Sequence, residues 1–150
     1  MDDLARFRDA QAPLFDGALR ELRAGRKTGH WMWFIFPQLR GLGRSATALR
    51  YGIADLDEAR AYLADPLLGP RLAACAEALL GHGEATAEEI LGPVDALKLR
   101  SSATLFRAAG DVATARLMQA LIDRFFSGRP CPLTLAALGD SGPGQSDRTS

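Results

Sequence analysis

A chain of 150 residues is the size of one domain, long enough to bury roughly 70% of the surface of its unfolded form without a disulfide or metal staple. Its 47% apolar and 24% charged residues exclude disordered and fibrous classes, and zero formal net charge argues against a generic nucleic-acid binder, whose affinity rests on excess positive charge. Cys75 and Cys131 lack any Cys-x-x-Cys or Cys/His ligand spacing, so neither a zinc site nor a disulfide framework is expected, and no cofactor is indicated.

The N-terminus, MDDLARFRDAQ, is acidic and amphipathic rather than charged and then apolar, so it is not read as a signal peptide. Leu4, Phe7, Ala10 and Gln11 share one helical face, with Asp2 or Asp3 suited to cap the first turn. Pro13 suits the start of a second helix, in which Leu14, Ala18 and Leu22 recur at four-residue spacing until Gly25 stops it. The turn from Gly25 to Gly29 leads into Trp31-Met32-Trp33-Phe34-Ile35-Phe36, which holds both tryptophans. Apolar on every side, this run reads as a short buried helix ended by Pro37. It is far shorter than the about 20 residues a membrane span requires. A cytoplasmic protein with no membrane partner is therefore expected.

Ser45 suits the N-cap of a helix running to Tyr51, and Asp55 with Glu58 forms a capping box for a helix carrying Leu56, Ala59, Tyr62 and Leu63. Asp65-Pro66 breaks it, and Gly69-Pro70 opens a helix with Leu72, Cys75, Ala76, Leu79 and Leu80 as its stripe, ended by Gly81-His82-Gly83. Thr86 and Glu89 form a second capping box. Pro93 then starts a longer helix with Val94, Leu97, Ser101, Leu105 and Phe106 at helical spacing, closed by Gly110. Asp111 caps the last long helix, whose stripe runs from Ala113 through Leu117, Leu121 and Ile122 to Phe125 and Phe126, with Gly128 as its end. Beyond the elbow Arg129-Pro130-Cys131-Pro132 lies a short helix through Leu138. The expected architecture is all-α: one multihelical bundle over residues 1–138 and a flexible polar tail over 139–150.

Three blocks carry a family resemblance: GRKTGHWMWFIFPQLRGLGRS, YGIADLDEARAYLADPLLGPRL, and DALKLRSSATLF followed by a helix and FFSG. Their order and spacing closely resemble the domain-of-unknown-function family numbered 1810, over about residues 3 to 138. The resemblance implies a multihelical fold, seen also in a mycobacterial hypothetical protein. It transfers no catalytic residues. Ala103 stands where that pattern has methionine, a volume change at an apolar position.

Candidate site residues come from chemistry alone. Between Arg20 and Arg50 there are seven basic residues with Glu21 as the lone acid, whereas Asp55 to Asp95 is rich in carboxylates. In the turn, Arg26, Lys27 and Thr28 between two glycines are the ingredients of a phosphate or carboxylate site, although a solvated helix connection would look the same. His30 is a candidate acid or base, with a capping or packing histidine as the simpler reading. Trp31 and Trp33 can stack on a ligand or fill the core, and Gln38 can brace the turn after Pro37 or read a ligand amide. Asp95, Lys98, Ser101 and Ser102 fall on neighbouring turns of one helix; Lys98 is a proton-transfer candidate and the serines are orienting groups, against the plain reading of an Asp95/Lys98 surface pair. If Lys98 and Ser101 face Arg26 and Lys27, they complete an anion pocket. The expected function is binding, with or without transformation, of a small anionic metabolite such as a nucleotide or phosphorylated compound. The rival is a non-catalytic module docking an acidic protein or nucleic acid through the basic N-terminal half. No residue pattern specifies a reaction or an oligomeric state.

Overall fold

The computed structural model describes residues 3–139. They form α1 (Ala5–Gln11), α2 (Phe15–Ala24), α3 (Met32–Ile35), α4 (Ala46–Arg50), α5 (Leu56–Ala64), α6 (Leu68–Leu80), α7 (Ala87–Leu91), α8 (Pro93–Ala109), α9 (Val112–Phe126) and α10 (Pro132–Ala137). The all-α expectation holds: among the described residues there is no strand, only an isolated parallel bridge between Leu39 and Ile53. None of the helices is long and apolar enough to cross a membrane. Of the tail expected over 139–150, all but Gly139 lies outside the described residues.

The helix starts follow the side-chain chemistry closely. Ser45, Asp55, Thr86 and Asp111 each accept the backbone N–H three residues on, and Thr86 and Glu89 complete a reciprocal box. At Asp55 the partner Glu58 reaches one residue further back, to the N–H of Ala54 at 2.8 Å. Three expected starts shift. Helix α1 begins after Leu4 with no side-chain cap; Asp3 contributes its carbonyl, which accepts from the Arg6 guanidinium at 2.6 Å, and Asp2 lies outside the described residues. Pro13 falls in the turn before α2, because the Leu14 N–H still bonds back to the Gln11 carbonyl at 3.0 Å. Helix α6 begins at Leu68, ahead of Gly69-Pro70, since Asp65 accepts the N–H groups of Leu67 and Leu68. A Cβ on Gly69 would lie 2.2 Å from the Leu63 carbonyl oxygen, so this close joint of α5 and α6 requires glycine.

Helix α8 is the central element and packs against α3, α5, α7, α9 and α10. Every residue from Ser101 to Phe106 is buried, as expected of a helix surrounded on all sides. Its core stripe is Ala96, Leu99, Ala103 and Phe106. Val94 and Leu97, grouped by helical spacing with the buried Leu105 and Phe106, are themselves 65% exposed each. The aromatic run packs as expected: α3 buries Met32, Phe34 and Ile35, with Trp31 and Phe36 buried beside it. Such a short helix leaves carbonyls without partners. The Phe34 carbonyl is satisfied by the buried Gln11 amide at 2.6 Å and the Tyr62 hydroxyl at 3.3 Å. Tyr62 then joins Phe7 edge-on and Phe106 at ring separations of 5.2 and 5.1 Å, so α1, α3, α5 and α8 meet at one point.

Candidate functional site

The glycine-flanked basic turn closes on its own chain. Gly25 ends α2 in the left-handed conformation at φ 82°, which reverses the backbone and brings the following N–H groups over the last turn of that helix. There, one carboxylate oxygen of Glu21 accepts the N–H of Thr28 at 2.8 Å, that of Gly29 at 2.9 Å and the Trp31 indole N–H at 2.9 Å. Partial burial works against ionisation of Glu21, but these donors outweigh it and hold its carboxyl down to about 2, against an ordinary 4.5. The turn is thus built to hold a carboxylate, and Glu21 is that carboxylate.

Lys27 leaves the turn in the opposite sense. Its N–H bonds to the Ile90 carbonyl at 2.7 Å, fastening the turn to α7, while its ammonium donates to the Gly29 carbonyl at 2.6 Å and meets Asp95 at 2.8 Å. Asp95, in the first turn of α8, receives Lys98 on its other oxygen at 3.1 Å. Each ammonium also rests on an indole: Lys27 lies 5.1 Å from the Trp31 ring centroid and Lys98 lies 4.7 Å from that of Trp33. Burial opposes the charge on Asp95, but hydrogen bonds from Lys27 and Lys98 prevail and lower its carboxyl below the usual range. The Asp95/Lys98 pair is therefore no solvated surface pair: the Lys27, Asp95 and Lys98 side chains are 9%, 16% and 15% exposed. Two cations share one anion, which leaves one unit of positive charge held in partly dry surroundings.

Lys98 also borders a groove of about 450 Å³ between the N-terminal half of α8, the 38–43 loop and the start of α10. Gln38 and Ser101 line it with Lys98 and Arg100, and most of the remaining wall is apolar: Leu42, Val94, Leu97, Pro132 and Leu133. The Ser101 hydroxyl meets that of Thr134 at 3.0 Å, and the Thr104 hydroxyl accepts the Cys131 N–H at 2.8 Å, so two hydroxyls of α8 dock α10. A second concavity, of about 410 Å³, is bordered by Arg40, Asp55 and Asp57 among others. Two carboxylates in its wall make it a poor host for an anion.

Lys27, Trp31, Trp33 and Lys98 thus meet around Asp95, and Gln38 and Ser101 join Lys98 along the groove. The remaining predicted residues stand apart. Arg26 and His30 are exposed, and among the described residues their side chains have no hydrogen-bond or ion-pair partner. Thr28 gives its N–H to Glu21. Ser102 is fully buried in α8 with an unpartnered hydroxyl and does not border the groove. His82, whose ring nitrogen lies 2.7 Å from the Leu22 carbonyl, ties α2 to the end of α6. Glu21 escaped sequence reasoning as a site residue; its signal was that it is the lone carboxylate in a basic stretch, one turn before the glycines. The exposure of Val94 and Leu97 had no sequence signal, because helical spacing identifies a shared face and not what covers it.

A family model described as "Protein of unknown function (DUF1810)" matches residues 1–138. Among solved structures the chain is similar to the conserved hypothetical protein Rv1873 from Mycobacterium tuberculosis, with 50% sequence identity and a TM-score of 0.88 over 91% of this chain and 96% of that one. No curated protein matches the chain.

Proposed function

Since the chain belongs to the DUF1810 family of proteins of unknown function, we propose from the chemistry of its site that it binds a small anionic molecule in the groove beside Lys98. The observation that carries this reading is that Lys98 belongs both to the cation-rich Asp95 cluster and to the wall of the groove. An anion arriving there meets an ammonium that Asp95 only half neutralises, in surroundings drier than bulk water, where such an attraction is strongest. Gln38 supplies a neutral polar side chain on the same wall, while the buried Ser101 hydroxyl, paired with Thr134, braces that wall rather than facing a ligand. Asp95 positions the lysines, and Trp33 supports Lys98 from below. Of the two proton-transfer candidates, only Lys98 borders the groove, so His30 has no part in this reading.

Calorimetric titration at low ionic strength with a panel of carboxylates, phosphate monoesters and nucleotides tests it. At least one of them is expected to bind the wild-type chain, and Lys98→Met is expected to weaken that binding tenfold or more. Binding that ignores Lys98→Met, or no binding by any member of the panel, would remove the reading. Docking through Arg40, Arg44 and Arg50 gains less support: Arg40 donates to the Gly52 carbonyl and Arg50 stacks on Tyr51, so both side chains are already engaged within the chain.

A further inference from the structure

We infer that the occupant of the groove is a compact carboxylate head on an apolar body, such as a medium-chain fatty carboxylate, and not a nucleotide. This rests on the anion-binding reading and narrows it. Three of the most exposed large apolar side chains of the described residues converge on this one groove: Val94 and Leu97 at 65% and Leu133 at 68%. Val94 and Leu97 stand one turn apart on a single face of α8 and form an apolar strip with Lys98 beside it. A concavity of this size, about 450 Å³, is in the range of small-molecule pockets, roughly 300–1,000 Å³. Exposed side chains scattered singly need no explanation, but several lining one groove mark a binding surface.

The charge count selects the head group. Lys27 and Lys98 share Asp95 and leave one positive charge between them. Arg100, the other cation on the wall, gives its Nε–H to the Arg129 carbonyl at 2.8 Å, a neutral partner that leaves its charge in place, so the wall presents two cations. A triphosphate needs several cations together with a cradle of free backbone N–H groups. The chain does build such a cradle, at Thr28 and Gly29, but Glu21 fills it. Two cations without a free N–H cradle suit a compact anionic head such as a carboxylate better than a triphosphate, and the apolar strip matches a hydrocarbon body. Each CH2 moved out of water strengthens binding by up to about fourfold, so affinity must climb with chain length.

The test compares acetate, octanoate and ATP on the full chain by calorimetry, with the half-buried Trp33 beneath Lys98 as a fluorescence reporter. Octanoate is expected to bind at least tenfold more tightly than either of the others. Leu97→Ser and Leu133→Ser alter exposed positions and leave the fold intact by circular dichroism; each should weaken octanoate at least threefold, while Lys98→Met should weaken it tenfold. If acetate or ATP binds as well as octanoate, and in a Lys98-dependent way, the apolar-body inference falls while anion binding stands. No binding of any anion removes both. A concentration-dependent dimer in sedimentation that Leu97→Ser dissociates would give the groove to a second copy of the chain and overturn the inference.

Discussion

Two places in this small bundle are equipped to hold a carboxylate, and the chain treats them in opposite ways. At the turn after α2, two backbone N–H groups and an indole converge on an oxygen that Glu21 supplies from three residues inside α2's end. At the start of α8, Asp95 is equally well held, but there the cations outnumber it and one of them borders a groove. The first arrangement is complete and contributes stability. The second carries a surplus, and surplus charge in partly buried surroundings is where a functional role is best sought. A glycine-flanked basic turn therefore does not by itself identify an anion site; what matters is whether the chain has already filled it.

Removing the carboxylate from each place should separate the two, and the largest effect is expected at Asp95. Asp95→Ala leaves the Lys27 and Lys98 ammoniums without their shared counter-ion in a mostly buried setting, which should cost about 3 kcal/mol in urea unfolding. Second comes Glu21→Gln, which retains the size but loses the charge-assisted acceptor; about 1–2 kcal/mol is expected near neutral pH, after allowance for solvent screening.

The acid limb of the stability curve sharpens the same contrast. Glu21 and Asp95 both ionise more readily in the folded state than their ordinary values allow, so the unfolded chain binds more protons as the solution is acidified. Their contribution is fully present above the ordinary carboxylate value, 4.5 for Glu21, and is lost as pH falls toward the folded value of about 2. Stability should therefore rise with pH across that window, and Glu21→Gln should flatten the rise in an acid titration followed by circular dichroism. An unchanged slope would mean that Glu21 is not held as described. Lys98→Met should be the mildest change to the fold, costing no more than about 1 kcal/mol, because Asp95 keeps Lys27 as partner and the methionine retains the contact with Trp33. Its effect should appear in binding rather than in stability.

Much of the fold was legible because its signals are local. The side-chain caps at Ser45, Asp55, Thr86 and Asp111 act within three residues, and Gly25 and Pro37 end their helices through their own backbone preferences. The boundaries that shifted depend on neighbours instead: α2 starts late because Leu14 still bonds to α1, and α6 starts early because Asp65 reaches into it. The candidate site was legible in its ingredients but not in its grouping. Lys27, Trp31, Trp33, Gln38, Lys98 and Ser101 stood out by type, yet that Lys27 meets Asp95 across 68 positions follows only from the fastening of the turn to α7 by the Ile90 carbonyl. Glu21 was hidden because its partners lie seven to ten residues on, beyond any helical repeat.

The measurement that tests the central claim most directly sets the two places side by side in one titration. Backbone and side-chain NMR shifts would be followed while octanoate is added to the full chain. The account predicts saturable changes at Lys98, Gln38 and Leu97 with Thr28 and Gly29 unmoved, because Glu21 already occupies their N–H groups. Saturable changes centred on Thr28 and Gly29, or none at Lys98, would contradict it.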